Sequence, residues 1–144
     1  EVARVECNRQ ADEAVQEVGP DDPIEDVLHE AAERIVHFFL SDFGQQVFRI
    51  CVAESHRFPE LGCRFYKSGP AMVRDRLTQV LTPYVERGVL KIDDMDLAAN
   101  QFGELCKSDL FIRCLCGVST DIPETEVERV INGAVEMFLA RYRA

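Results

Sequence analysis

The sequence predicts an all-α fold, and three observations carry that prediction. Apolar residues recur at three- and four-residue steps through most of the chain, the period of one helix face. Helix start and stop signals bound these stretches. No segment alternates with period two for long enough to compete as a strand.

The elements follow in order. Residues 1–18 carry Val2, Val5, Ala11, Ala14, Val15 and Val18 at loosely helical spacing, and Gly19-Pro20 ends the segment. Asp22, Pro23 and Glu25 then stand as cap, first helical residue and capping-box acid. Ile24, Val27, Leu28, Ala31, Ile35, Phe38 and Phe39 form the stripe of that helix. Ser41 caps a helix with Phe43, Val47, Ile50 and Cys51, and Phe58-Pro59 breaks it. A short helix spans Pro59 to about Lys67, and Gly69-Pro70 restarts the chain. Val73, Leu77, Val80, Leu81, Tyr84 and Val85 mark the next helix, which Gly88 closes. Pro83 is expected to kink it or end it early. Asp93 or Asp94 caps one long helix to about Cys116, ended by Gly117. A last helix, with Asp121 and Glu124 at capping-box spacing, runs from Pro123 to Tyr142. About six helices result.

With 144 residues and 47% hydrophobic content, the chain has material for one packed core. Its formal charge of −10 excludes a nucleic-acid surface of its own, because phosphate binding needs concentrated basic groups. No apolar run reaches the roughly 20 residues that cross a bilayer, and the opening is not a signal peptide. The expected location is the cytoplasm, with the six cysteines reduced and mostly packed on apolar helical positions.

The motifs of catalysis are missing. There is no Gly-rich phosphate loop, nucleophile elbow or H-E-x-x-H. Asp26/His29 and Glu33/His37 have helical spacing, but a di-iron bundle needs Glu-x-x-His pairs; these read as ion pairs on a polar face. Cys114 and Cys116 are too few and wrongly spaced for structural zinc. No cofactor, metal or enzymatic activity is expected.

A binding cavity fits better. Large apolar residues on proline-interrupted helices, with a few polar groups among them, suit a pocket. The candidates are Phe39, Phe48, Cys51, Tyr66, Met72, Arg76, Val80, Tyr84, Phe102, Cys106 and Asp109. The last two helices are apolar over more than one face, and Gly133 interrupts the second of them, where close approach of another backbone would offset its cost. Two such helices from each of two copies would make a four-helix bundle. Its candidate contacts are Phe111, Ile112, Leu115, Val127, Ile131, Ala134, Val135 and Phe138. The same pattern also fits helices wrapped wholly inside one domain.

Four stretches together resemble one family. Ala53-Glu54-Ser55-His56-Arg57-Phe58-Pro59-Glu60-Leu61, with Phe65-Tyr66 and Gly69-Pro70, is similar to a run in many TetR-type regulators. Gly88-Val89-Leu90 with Asp93-Asp94, Leu97-Ala98-Ala99-Asn100-Gln101-Phe102, and Glu128 through Leu139 continue the likeness over about residues 24–142. The similarity is strongest to the AefR subgroup's C-terminal domain. The resemblance implies a homodimer whose last two helices form the interface and whose C-terminal domain holds a small, often hydrophobic effector. It implies that operator DNA is bound only through an N-terminal helix-turn-helix that these residues do not include. Residues 1–18 would end the connecting helix, and 19–144 would form the effector-binding and dimerisation domain. Two other readings are a stand-alone helical interaction module, and a helical enzyme or metal carrier using His29 or His37.

Overall fold

The computed structural model of the chain describes residues 21–119 and 121–144; the expected helix at 1–18 lies outside them. The described residues form seven helices: α1 (Ile24–Leu40), α2 (Asp42–Glu54), α3 (Pro59–Ser68), α4 (Pro70–Glu86), α5 (Met95–Lys107), α6 (Leu110–Leu115) and α7 (Glu124–Tyr142). The all-α class stands. The sole β feature among them is an isolated antiparallel bridge, Leu90 to Arg143. It holds the C-terminus against the α4–α5 connector, where Lys91 N–H donates to the Tyr142 carbonyl at 2.7 Å and Ala144 N–H to that of Val89 at 3.1 Å.

The helix boundaries follow local chemistry. Asp94 caps α5 by accepting from Leu97 N–H at 3.1 Å, and Ser41 caps α2 by accepting from Gly44 N–H at 3.0 Å. Gly88 and Gly117 take the left-handed conformations that helix ends use, with φ of 77° and 71°. The expected caps at Asp22 and Asp121 do not form. Pro23 and Pro123 occupy the cap positions themselves, and no side chain caps α1 or α7. Asp22 instead offers its carbonyl to the Tyr84 hydroxyl at 2.6 Å, tying the start of α1 to α4.

Two expectations about helix continuity need correction. Pro83 does not end α4 early; the helix runs to Glu86, with Pro83 in its final turn. The long helix expected to reach Cys116 is in fact two. Asp109 adopts φ 68°, which ends α5 and starts α6 in a new direction. Aspartate tolerates that left-handed conformation better than most residues.

The core is built by α1, α4, α5 and α7. Leu28, Leu81, Phe102, Cys106, Ile131 and Phe138 are fully enclosed, and the Phe102 and Phe138 rings meet edge to face at 5.3 Å. The helices α2 and α3 form an outer layer. Of their residues only Gly44, Gln45 and Cys51 are buried, and α3 buries none.

Candidate functional site

The outer layer is joined to α1 by a tight corner. A β-carbon at Gly44 would stand 2.2 Å from the Phe38 carbonyl oxygen, so only glycine lets α2 turn back this closely. Gln45 donates its side-chain amide to the Phe39 carbonyl at 2.7 Å and reinforces the same corner. At its far end α2 is bound to α6, where Arg49 donates to the carbonyls of Cys114 and Leu115 at 3.2 and 3.1 Å. Those carbonyls end α6 and lack partners within their own helix.

Between this layer and α1, α4, α5 and α6 lies a cavity of about 680 Å³, within the usual size of a small-molecule site. Its apolar wall is a chain of rings. Phe39 meets Phe111 at 5.5 Å, Phe111 meets Phe48 at 4.9 Å, and Phe48 meets Phe65 at 5.8 Å, each edge to face. Leu61 and Phe65 of α3 face the same space and are only half-buried. An amphipathic helix normally closes its apolar stripe against protein. Here the stripe of α3 closes on a hollow.

Polar groups around the cavity are mostly cationic. Arg64, Lys67, Arg74 and Lys107 line it, with Glu104 the single acid among the lining residues. Arg74 is held by Asp75 at 3.1 Å and Lys107 by Glu104 at 3.0 Å, while the Lys107 ammonium also lies 5.2 Å from the Phe111 ring centre.

Among the effector-binding candidates, Phe39, Phe48 and Cys51 line this space. The others lie elsewhere, each for a visible reason. Phe102, Cys106 and Tyr84 belong to the closed core. Val80 packs against that core, and Tyr66 is exposed. Met72 is half-buried on α4 outside the lining, and Arg76 donates to Gln79 at 3.3 Å. Asp109 sits at the exposed α5–α6 break and pairs with Arg113 at 3.3 Å; Arg113 also reaches Glu126 at 3.1 Å. Sequence reasoning missed the cationic rim and the place of Phe38, Leu61 and Phe111 in the cavity wall.

The candidate dimer contacts also divide. Val127, Ile131, Ala134, Val135 and Phe138 are buried in the protomer's own core, so none of them is open to a second copy. Phe111 turns into the cavity, Leu115 is half-buried, and Ile112 is exposed. The outer side of the same helices carries other apolar groups: Leu97 is 50% exposed and Met137 63% exposed. Gly133 lies there too, and a β-carbon at it would meet nothing within 4 Å.

The histidines pair differently from the sequence expectation. His29 lies 3.5 Å from Glu33, and His37 reaches across to Glu124 on α7 at 3.3 Å. Glu128 brings a second carboxylate near His29 and Glu33, and together they lie along the seam of α1 and α7. The five described cysteines are free thiols; Cys63 and Cys116 are exposed, contrary to the packed positions expected. Burial pushes the Cys106 thiol up to about 12 and raises that of Cys51.

Comparison with known proteins is consistent with this architecture. The family profile of the AefR-like transcriptional repressor C-terminal domain matches residues 26–144. A TetR-family transcriptional regulator from Mesorhizobium loti superposes with a TM-score of 0.86 at 21% identity, over 99% of this chain and 72% of that one. A structure described as the flavonoid-responsive regulator FrrA gives 0.78 at 29% identity, over 97% and 72%. A TetR family regulator from Pseudomonas syringae pv. tomato gives 0.71 at 19%, over 97% and 72%. Comparison with curated proteins gives no match.

Proposed function

Since this chain belongs to the TetR family of transcriptional regulators, carrying its AefR-like C-terminal domain, we propose that it is the effector-sensing and dimerisation part of a ligand-controlled repressor. The observation that carries the sensing role is the cavity of about 680 Å³ walled by Phe39, Phe48, Phe65 and Phe111. Core phenylalanines of this protein pack closed, as Phe102 and Phe138 do. Four rings turned toward an open space suit an apolar or aromatic small molecule. The flavonoid-responsive neighbour, also a regulator, supports a planar aromatic effector.

Dimerisation uses the outer faces of α5 and α7, where Leu97, Gly133 and Met137 supply apolar and small surface. Glycine in mid-helix costs about 1 kcal/mol against alanine. Gly133 has no neighbour within its own protomer to explain it, and close approach of the partner's helix does. A ligand that orders the α2–α3 layer would shift α1 and α6, which that layer contacts. Coupling of roughly 1–3 kcal/mol is enough to change DNA affinity 5–150-fold. No described helix is long and apolar enough to cross a membrane.

Thermal melting against a panel of flavonoids and other planar aromatic compounds tests the sensing role. Binding raises the melting temperature by mass action, and Phe48→Ala removes the rise. A melting temperature unmoved by every compound would defeat the proposal. Sedimentation at micromolar concentration tests the assembly: a dimer is expected, weakened by Met137→Glu.

A further inference from the structure

The net charge of this chain makes the cationic rim of the cavity informative. Acids outnumber bases 26 to 16 in the sequence. Around the cavity the balance reverses, with Arg64, Lys67, Arg74 and Lys107 against Glu104. Asp75 and Glu104 each hold one of these cations, on Arg74 and Lys107. Arg64 and Lys67 have no acidic partner among the described residues. They stand three positions apart on α3, so they share a helix face and repel each other. Both are exposed, whereas Phe48, Phe65 and Phe111 are half-buried. The site therefore has two chemistries, an aromatic interior and a positive edge.

We propose that the cavity takes an anionic amphiphile, with an apolar, preferably aromatic body among the phenylalanines and a carboxylate or similar acid held by Arg64 and Lys67. This rests on the cavity being the effector site. The amphiphile's charge satisfies two cations that the protein leaves unpaired, and a charge-assisted contact is stronger than a neutral one. The positive edge also attracts such a ligand selectively, since the surrounding surface of an acidic protein repels anions.

Two fluorescent probes of the same body isolate the charge: 8-anilinonaphthalene-1-sulfonate and its uncharged parent, N-phenyl-1-naphthylamine. Titrated into this chain, the anionic probe is expected to bind about tenfold tighter, as two exposed ion pairs allow. That advantage shrinks as salt is raised. Arg64→Ala/Lys67→Ala removes the advantage and leaves the neutral probe's affinity unchanged; Arg57→Ala, an exposed cation away from the cavity, changes neither. Phe48→Ala weakens both probes. Equal affinities that the double substitution does not alter would overturn the anionic head and leave the cavity intact as a sensor for neutral ligands. Failure of both probes to bind, or binding untouched by Phe48→Ala, would defeat the cavity reading and this inference together.

Discussion

Two regions of this molecule are made of the same material and end differently. In α1, α4, α5 and α7 each apolar stripe meets another, and Leu28, Leu81, Phe102 and Phe138 are sealed from water. In α2 and α3 the stripes are as regular, yet α3 buries no residue and the rings of Phe48 and Phe65 face a hollow. Helical periodicity reports which face turns from water. It does not report whether protein or empty space waits on the other side. That distinction separates a scaffold from a site, and it can be tested by truncating the two regions in parallel.

The largest contrast is expected from phenylalanine truncation. Phe102→Ala removes a fully enclosed ring and should cost about 3–5 kcal/mol in urea unfolding. Phe48→Ala should cost only about 1–2 kcal/mol, because its ring already lacks neighbours on the cavity side and forfeits fewer contacts. Equal losses would mean that the outer layer is packed as tightly as the core. A smaller effect sharpens the same comparison through the thiols. Alkylation of the native protein at mildly alkaline pH, mapped by peptide mass spectrometry, should mark Cys63 and Cys116 first, Cys51 slowly, and Cys106 only after unfolding. Cys106 also sets a pH dependence. A thiol held neutral in the fold favours folding below its ordinary value near 9, and that contribution is lost as pH rises toward about 12. Cys106→Ala should flatten this alkaline decline.

The fold was legible because its signals are local. Ser41, Asp94, Gly88 and Gly117 act at the helix ends where their chemistry places them. The break at Asp109 was hidden by the apolar residues on either side, Cys106 and Leu110, which continue a helical pattern in sequence. Ser108-Asp109 is a turn-forming pair, and that was the available signal. The site was legible only in part. Phe39, Phe48 and Cys51 lie on it, but Phe102 and Cys106 share their apolar character and belong to the core. Phe111 was expected at a dimer seam and instead joins the ring wall, because the break at Asp109 turns α6 toward α2. The cationic rim was invisible for a different reason. Arg64, Lys67, Arg74 and Lys107 come from three helices, and only the folded chain brings them round one space.

Crystals of the chain grown with N-phenyl-1-naphthylamine test the central claim most directly. The naphthyl rings should lie among Phe39, Phe48, Phe65 and Phe111, with α2 and α3 drawn onto the ligand, α1 and α6 shifted with them, and α4, α5 and α7 unmoved. Finding the space beside those four phenylalanines closed by protein, with the probe elsewhere or absent, would contradict it.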